Sequence, residues 1–273
     1  EGFPGWHIEC SAMAKKYLGT TFDIHGGGVD NIFPHNESEI AQSECANDVD
    51  FARYWILVGS LTVDGVKMSK SLGNFITIKD ALKQYRPEVI RQFVYSAHYS
   101  SPVDYTADSL TAAAGGWERL YGAVRLTRQM QASAPASDDG NSILTRLEQA
   151  KQEFTAAMDD DFNTPKAIAA LQELTRDVNT LLNSGTAIGR STLDAIETTY
   201  QTLGGDVLGL IPAGDTASSD GQREAGLVEL LISLRADARK QKDFATSDRI
   251  RDELKNLGVI LEDRADGTVW RTN

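Results

Sequence analysis

Two lysines, Lys67 and Lys70, stand three residues apart in a segment rich in hydroxyl side chains, KMSKS at residues 67–71. The segment follows Asp64-Gly65, a dipeptide typical of tight hairpin turns. An ammonium group is a compact charge with three hydrogen-bond donors, so it suits phosphate oxygens and negative charge that grows in a transition state. Charge alone favours a simpler interpretation, an exposed lysine pair on a surface loop, because most lysines face solvent.

Cys10, His35 and Glu39 offer a thiol, an imidazole and a carboxylate, donor types that together suit zinc. His35 and Glu39 are four residues apart, so on a helix they face the same side. The residue types by themselves leave other interpretations open. A single cysteine is more often a small buried hydrophobe, and the His–Glu pair also fits an ordinary polar helix face.

Three glycines at residues 26–28 follow a β-like run at residues 21–25, which predicts a strand that ends in a glycine turn. Glycines let a ligand approach the backbone closely, and Asp30 beyond them is placed to accept hydrogen bonds from ribose hydroxyls. A run of glycines more often marks only a turn, so the motif alone is a weak signal.

Near the end of the chain, six basic and three acidic residues lie between Arg235 and Arg251. Taken alone, this composition favours a solvated amphipathic helix, because lysine and arginine are mostly exposed.

Sequence patterns also predict the elements that position these residues. A helix predicted over residues 32–46 opens near Pro34, and a strand-like run covers residues 52–63, a mixture typical of the second half of an α/β sheet domain. From about residue 109, apolar residues recur at spacings of three, four and seven, which predicts a bundle of three or four helices. A small, polar segment at residues 212–226 predicts a linker, followed by two helices and a short hairpin.

The composition excludes several classes of protein. The 273 residues are 41% apolar and 24% charged, which excludes general disorder. The net charge of −12 is uneven, with −3 in residues 1–100, −9 in residues 101–224 and zero in residues 225–273. No apolar run approaches the roughly 18 residues of a membrane span, and two cysteines are too few for a disulfide framework. We therefore expect a cytoplasmic protein with no membrane partner.

Four segments closely resemble the cysteinyl-tRNA synthetase family of class I aminoacyl-tRNA synthetases: GWHIECSAM at 5–13, FDIHGGGVD at 22–30, FPHNESEIAQS at 33–43 and TVDGVKMSKSLGNF at 62–75. The resemblance implies an α/β fold class. In order along the chain, the implied parts are the second half of a Rossmann-like class I catalytic domain, an α-helical bundle and a small mixed α/β C-terminal module. The family's HIGH string occurs nowhere in this sequence, so we interpret the chain as lacking the family's N-terminal part.

The resemblance implies a role for each candidate residue. Lys67 and Lys70 are implied to be catalytic and to bind the triphosphate of ATP, which comes with Mg²⁺. The other implied roles are zinc binding by Cys10, His35 and Glu39 together with a cysteine absent from this chain; further ATP contacts by His25, Gly27 and Asp30; cysteine binding by Trp6 and His25; and anticodon binding by Arg239, Phe244, Asp248 and Asp263.

The implied domains are half of the catalytic domain at 1–105, a tRNA-contacting helical bundle at 106–211, the linker at 212–226 and an anticodon-binding module at 227–273. The implied activity is ATP-dependent activation of L-cysteine to cysteinyl-adenylate and its transfer to tRNA(Cys), with zinc selecting the substrate thiol. We expect a monomer that is inactive as this chain alone. Two alternatives stay open: a mycothiol-pathway cysteine ligase, whose family lacks this C-terminal module, and a non-catalytic zinc- or RNA-binding module derived from a synthetase.

Overall fold

The computed structural model describes residues 4–69, 71–131, 133–136, 143–212, 220–264 and 267–272, with the backbone alone at 220–225, 262–264, 267, 269 and 271–272. The chain divides into two compact units, Glu1–Ala213 and Gly214–Asn273. Among the described residues, no helix has both the length and the apolar character needed to cross a membrane.

The first unit begins with an α/β part built around two small sheets. Its helices are α1 His7–Tyr17, α2 Glu37–Asn47, α3 Ile78–Gln84 and α4 Pro87–Val94. Its strands are β1 Phe22–Gly28, β2 Ala52–Val58, β3 Leu61–Val63, β4 Val66–Lys67 and β5 Val103–Tyr105. β1 and β2 pair in parallel, and β3 lies between its antiparallel neighbour β4 and its parallel neighbour β5. The parallel pair β1–β2, joined through α2, confirms the predicted α/β class.

The glycine turn predicted at residues 26–28 is wrong, because these glycines belong to strand β1. They pair in parallel with Ile56, Leu57 and Val58 of β2. The chain leaves the strand only at Val29–Asn31. Tertiary pairing overrides the low strand propensity of glycine here, since β2 offers ladder partners along the whole run.

The single helix predicted over residues 32–46 is divided in the structure. An irregular helical turn covers Ile32–Asn36, and α2 begins at Glu37. Phe33 is extended, with φ −128° and ψ 132°, because the α conformation is disfavoured for a residue that precedes proline. His35 therefore lies in the turn that leads into α2.

Four long helices confirm the bundle predicted from apolar periodicity: α5 Ala107–Gln131, α6 Ile143–Asp159, α7 Thr164–Leu182 and α8 Arg190–Tyr200. Leu171, Leu174 and Val178 follow the helical period along α7, and all three are fully buried. Trp117 of α5 is also buried in this core, and its indole Nε1 donates to the carbonyl of Leu210 at 2.8 Å.

The bundle core makes a testable prediction, because Leu171 has no exposed surface while Leu144 on α6 is 44% exposed. We expect Leu171→Ala to lower the free energy of unfolding of the first unit by about 2–5 kcal/mol, since it removes buried methyl groups and leaves a cavity. Leu144→Ala removes the same atoms from a more exposed site and should cost less than about 1 kcal/mol. Denaturant unfolding followed by tryptophan fluorescence measures both, and equal losses would contradict this core.

The second unit confirms the predicted pair of helices and hairpin. Its elements are α9 Asp220–Lys240, α10 Phe244–Asn256, β6 Val259–Arg264 and β7 Gly267–Thr272. Val228, Leu254 and Val259 form its small core. α9 begins inside the segment 212–226 that the sequence predicts as a linker. The small and polar residues of this segment suggest a linker. However, Gln, Arg, Glu and Ala at residues 222–225 are strong helix formers, and they belong to α9.

Candidate functional site

Cys10, His35 and Glu39 converge, and their ligand atoms all lie within 4.8 Å of one another. Helix α1 carries Cys10 and packs against α2, which carries Glu39. His35 lies four residues before Glu39, and its Nε2 is 3.7 Å from Glu39 Oε1. Glu39 is fully buried, whereas the other two are half-buried. Packing of α1 on α2 therefore brings Cys10 to the His35–Glu39 pair, whose two residues are local neighbours.

This donor set fits zinc. A zinc ion about 2.0–2.3 Å from each donor holds the donors within roughly 4.6 Å of one another, close to the observed separation. Glu39 Oε1 is buried with no hydrogen-bond partner among the described residues, a costly state that a cation relieves. Burial raises the pKa of the Cys10 thiol, and the charge of Glu39 raises this pKa further, so a thiolate here needs a cation beside it.

His25 and Trp6 border this cluster. His25 Nε2 lies 2.9 Å from Glu39 Oε2, and the His25 ring stacks on Trp55 with 4.4 Å between the ring centroids. The Trp6 ring is 4.7 Å from the ring of His35 and stays 64% exposed. Cys10, His25 and Glu39 line one cleft of about 420 Å³. Sequence reasoning missed Trp55, which reaches His25 only because the two residues are partners in the parallel β1–β2 pair.

Two of the residues predicted to bind ATP, Asp30 and Lys67, lie close together. Lys67 Nζ is 3.5 Å from Asp30 Oδ2, and both side chains are exposed. Gly27 lies within β1, where an added Cβ would be 3.5 Å from Asn36 Nδ2, an ordinary contact, so the fold itself does not demand glycine there. Lys70 lies outside the described residues. The structure thus joins Asp30 to the first lysine of the KMSKS segment.

Asp104 holds the hairpin that precedes this segment. Asp64 and Gly65 have φ values of 50° and 75°, typical of the two central residues of a type I′ turn. Asp104 of β5 accepts hydrogen bonds from Thr62 Oγ1 at 2.6 Å and from the Gly65 amide at 2.9 Å. Both bonds lower the pKa of Asp104, the Thr62 bond more than the Gly65 bond. The carboxylate is therefore ionised at neutral pH. Sequence reasoning missed Asp104, because only the parallel pairing of β3 with β5 brings it to the turn.

Asn74, just after the KMSKS segment, forms hydrogen bonds with the backbone of that segment. Its Oδ1 accepts from the Ser69 amide at 2.9 Å, and its Nδ2 donates to the Lys67 carbonyl at 3.2 Å. The Ser69 hydroxyl in turn accepts from the Leu72 amide at 3.3 Å. Side chains on both sides thus define the path of the backbone that carries Lys67. Sequence reasoning missed Asn74 too, although its position in the TVDGVKMSKSLGNF string is a usable signal.

Three of the four candidate anticodon residues, Arg239, Phe244 and Asp248, lie near the junction of α9 and α10. Arg239 lies in the last turn of α9, and Phe244 begins α10. The Phe244 ring is 60% exposed, and Asp248 pairs with Arg251 at 3.3 Å. Asp263 lies on β6, and its side chain is outside the described part of the structure. An exposed aromatic ring beside basic side chains suits single-stranded RNA, since bases stack on the ring and phosphates meet the positive charge.

Three family models match the chain in order along the sequence. The tRNA synthetases class I (C) catalytic domain matches residues 1–115, the DALR domain residues 153–212, and the cysteinyl-tRNA ligase anticodon binding domain residues 227–271. These matches favour neither a mycothiol-pathway ligase nor a non-catalytic module derived from a synthetase.

Solved structures share the fold, and one of them serves as an example. A LeuRS from Agrobacterium radiobacter, in a ternary complex with tRNA and LeuAMS, gives a TM-score of 0.55 at 18% sequence identity, covering 73% of this chain and 29% of the LeuRS chain. At 18% identity the match is evidence for the fold alone. It agrees with the fold class that the sequence predicts.

Curated relatives cover the chain from end to end. A cysteine–tRNA ligase of Moorella thermoacetica is 45% identical over 279 residues, which cover 99% of this chain and 58% of the relative. The enzyme of the same name from Halorhodospira halophila is 48% identical over 274 residues, covering 99% of this chain and 56% of the relative. The chain thus spans somewhat more than half the length of these relatives. Three domain models match in order, and these relatives are 45–48% identical over 99% of this chain, so almost the whole chain is similar to part of a cysteine–tRNA ligase.

Proposed function

We propose that this chain is part of an enzyme that activates L-cysteine with ATP to cysteinyl-adenylate and transfers the cysteinyl group to tRNA(Cys). The observation that carries the proposal is the convergence of Cys10, His35 and Glu39 beside His25. Zinc bound by this set would supply a soft Lewis acid that prefers the thiol of cysteine to the harder hydroxyl of serine. An apolar pocket alone separates such near-isosteres only modestly.

The chain's own residues bind and orient cysteine in this proposal. Trp6 forms an exposed aromatic wall next to His35, where it covers a small substrate and excludes water. His25 is fixed by Glu39 on one side and by the stacked Trp55 ring on the other, so its orientation is set before the substrate arrives. A preorganised imidazole of this kind suits contacts with cysteine or with the adenylate.

The ATP site in this proposal combines β1 with the KMSKS segment. Asp30 accepts from the ribose hydroxyls, Gly27 allows close approach of the nucleotide, and Lys67 and Lys70 neutralise the triphosphate that comes with Mg²⁺. The Asp30–Lys67 ion pair opens when ATP enters, at little cost because both side chains are exposed. As pyrophosphate leaves, the lysines meet the negative charge that grows on it.

The second unit would bind the anticodon of tRNA(Cys). Arg239 contacts phosphate, Phe244 stacks on a base, and Asp248 and Asp263 accept hydrogen bonds from base edges. Our proposed boundaries remain 1–105 for the catalytic part and 106–211 for the tRNA-contacting bundle. The anticodon module is 227–273, and α9 begins within the segment 212–226 that we assign as the linker. We also propose that the protein acts as a cytoplasmic monomer.

Two assays on this chain test the proposed function. We expect tRNA(Cys) to bind and the affinity to fall when the anticodon bases are exchanged, because base contacts specify sequence while phosphate contacts do not. We expect no cysteine-dependent pyrophosphate exchange, because the sequence holds no HIGH string and an incomplete nucleotide site loses orders of magnitude in rate.

A matched pair of variants separates stacking from general surface effects. Phe244→Ala should weaken tRNA(Cys) binding by about 5- to 150-fold, the range expected for loss of one stacked base. Leu257→Ala removes an apolar side chain that is 79% exposed in the same unit and should leave the affinity unchanged. Binding that ignores the anticodon would contradict our assignment of residues 227–273, and measurable exchange would contradict the expected inactivity of this chain.

A further inference from the structure

Asn36 follows His35 directly in the chain, at the edge of the cluster of Cys10, His35 and Glu39, and it is only 5% exposed. Its side-chain nitrogen Nδ2 is buried and has no hydrogen-bond partner among the described residues. A buried amide donor in this state has lost its hydration without gaining a contact in return. Packing within the described part of the chain therefore leaves this donor unsatisfied.

Helix capping does not explain the presence of this asparagine. Asn36 occupies the N-cap position of α2, where an asparagine side chain commonly accepts a hydrogen bond from an amide of the first turn. Here the backbone of Asn36 is helical, with φ −65° and ψ −40°, and its side chain makes no capping hydrogen bond. The side chain lies against β1 instead, with Nδ2 3.5 Å from the position that a Cβ on Gly27 would take.

The Asn36 amide shares a face of β1 with His25. Residues two apart on a strand point the same way, so the face above Gly27 is also the face on which His25 reaches Glu39 at 2.9 Å. Asn36 and Glu39 are three residues apart, a spacing that makes side chains neighbours on a helix. Yet Asn36 Nδ2, a donor, and Glu39 Oε1, an acceptor, both lack a partner among the described residues, so they do not satisfy each other. The donor is left for an acceptor on a ligand, just as Oε1 is left for a cation.

We propose that Asn36 is a substrate-binding residue whose side-chain amide donates a hydrogen bond to the α-carboxylate of L-cysteine. The inference rests on the proposed function, because that function supplies cysteine as the ligand and places its thiol at the cluster of Cys10, His35 and Glu39. Only the β- and α-carbons separate the sulfur of cysteine from its carboxyl group. A thiol held beside His35 therefore brings the carboxylate near the residue that follows His35 in the chain.

This contact adds a selection that the metal ligands do not provide. Zinc bound by the cluster would favour a soft sulfur donor, and every small thiol offers one. A buried donor aimed at the carboxylate discriminates against thiols without that group, because they leave the donor unpaired. The hydrogen bond is strong because its acceptor is ionised. Since the amide is neutral, the carboxylate keeps its charge, and its other oxygen is free to bond to the α-phosphorus of ATP as the bond to pyrophosphate breaks.

Binding of two small thiols tests the inference, in a protein of the relatives' full length loaded with zinc. L-Cysteine carries the carboxylate, whereas cysteamine is the same molecule without it. Asn36→Leu keeps the branched shape of the side chain but removes the donor. We expect this variant to bind cysteine about 10- to 100-fold more weakly, the range for loss of a hydrogen bond to a charged group, and to bind cysteamine as the unaltered protein does. Calorimetric titration measures both affinities, and metal analysis should show unchanged zinc.

Stability separates a ligand contact from a structural role. Asn36→Leu removes a buried donor that has no partner among the described residues, so we expect the ligand-free variant to unfold at or above the denaturant midpoint of the unaltered protein. Asn47→Leu is the matched control on the same helix. There Nδ2 donates to the Ser43 carbonyl at 2.7 Å, so this change should lower the midpoint and leave both thiol affinities unaltered.

Each other outcome has a definite meaning. If Asn36→Leu binds cysteine as tightly as the unaltered protein, water alone satisfies the amide, and the inference is wrong while the proposed function stands. If the variant loses affinity for cysteine and cysteamine equally, Asn36 has a structural role and the inference again fails. Asn36→Ala removes the donor without adding methyl groups and should show the same selective loss of cysteine. If the unaltered protein binds neither thiol and shows no cysteine-dependent pyrophosphate exchange, the proposed function itself is wrong.

Discussion

Cys10→Ser is expected to lower the zinc affinity of this chain by more than about 100-fold. Loss of an outer-shell partner of a metal ligand already costs about 10- to 100-fold, and this change removes a ligand itself. A serine hydroxyl is a poor zinc donor, and without zinc the buried Glu39 Oε1 is again unsatisfied among the described residues. Competition with a chromophoric chelator, together with metal content after dialysis, measures the loss.

Cys45→Ser is the matched control for this prediction. Cys45 is a free, exposed cysteine on α2, so the same chemical change there should leave zinc binding unaltered. Glu39→Gln, which keeps the shape of the side chain but removes its charge, should lower affinity as Cys10→Ser does. Because three protein ligands converge among the described residues, we expect partial occupancy even without substitutions. Full stoichiometric zinc in Cys10→Ser would overturn the metal assignment.

Lys70→Ala, in a protein of the relatives' full length, should slow adenylate formation by about 10²- to 10³-fold while leaving cysteine affinity nearly unchanged. The ammonium group acts on charge that develops as pyrophosphate leaves, so its loss raises the barrier of the chemical step rather than weakening ground-state binding. Pyrophosphate exchange at saturating cysteine measures this rate.

A second lysine provides the control for that measurement. Lys83 lies on α3, outside the KMSKS segment, and pairs with Asp80 at 2.7 Å on the surface. Lys83→Ala should keep the full exchange rate, because an exposed ion pair of this kind contributes little. If Lys70→Ala exchanges as fast as the unaltered enzyme, the proposed role of Lys70 in activation is wrong.

Local patterns in the sequence were enough to predict several parts of this structure. The apolar period along α7 predicts its buried face, because a helix repeats every 3.6 residues whatever surrounds it. Asp64-Gly65 predicts the hairpin, because a type I′ turn needs two residues that tolerate positive φ. His35 and Glu39 are close because they are four residues apart, and a local helical turn keeps that spacing.

Tertiary packing decided what these patterns could not. Cys10 reaches Glu39 through the packing of α1 on α2, and Asp104 reaches Gly65 through a strand that lies 39 residues further along the chain. The glycines at 26–28 extend as a strand because β2 pairs with them. Asn36 approaches Gly27 because the turn before α2 packs against β1. Each of these contacts joins residues too distant in sequence for a local period to relate, since their proximity depends on which helices and strands pack together.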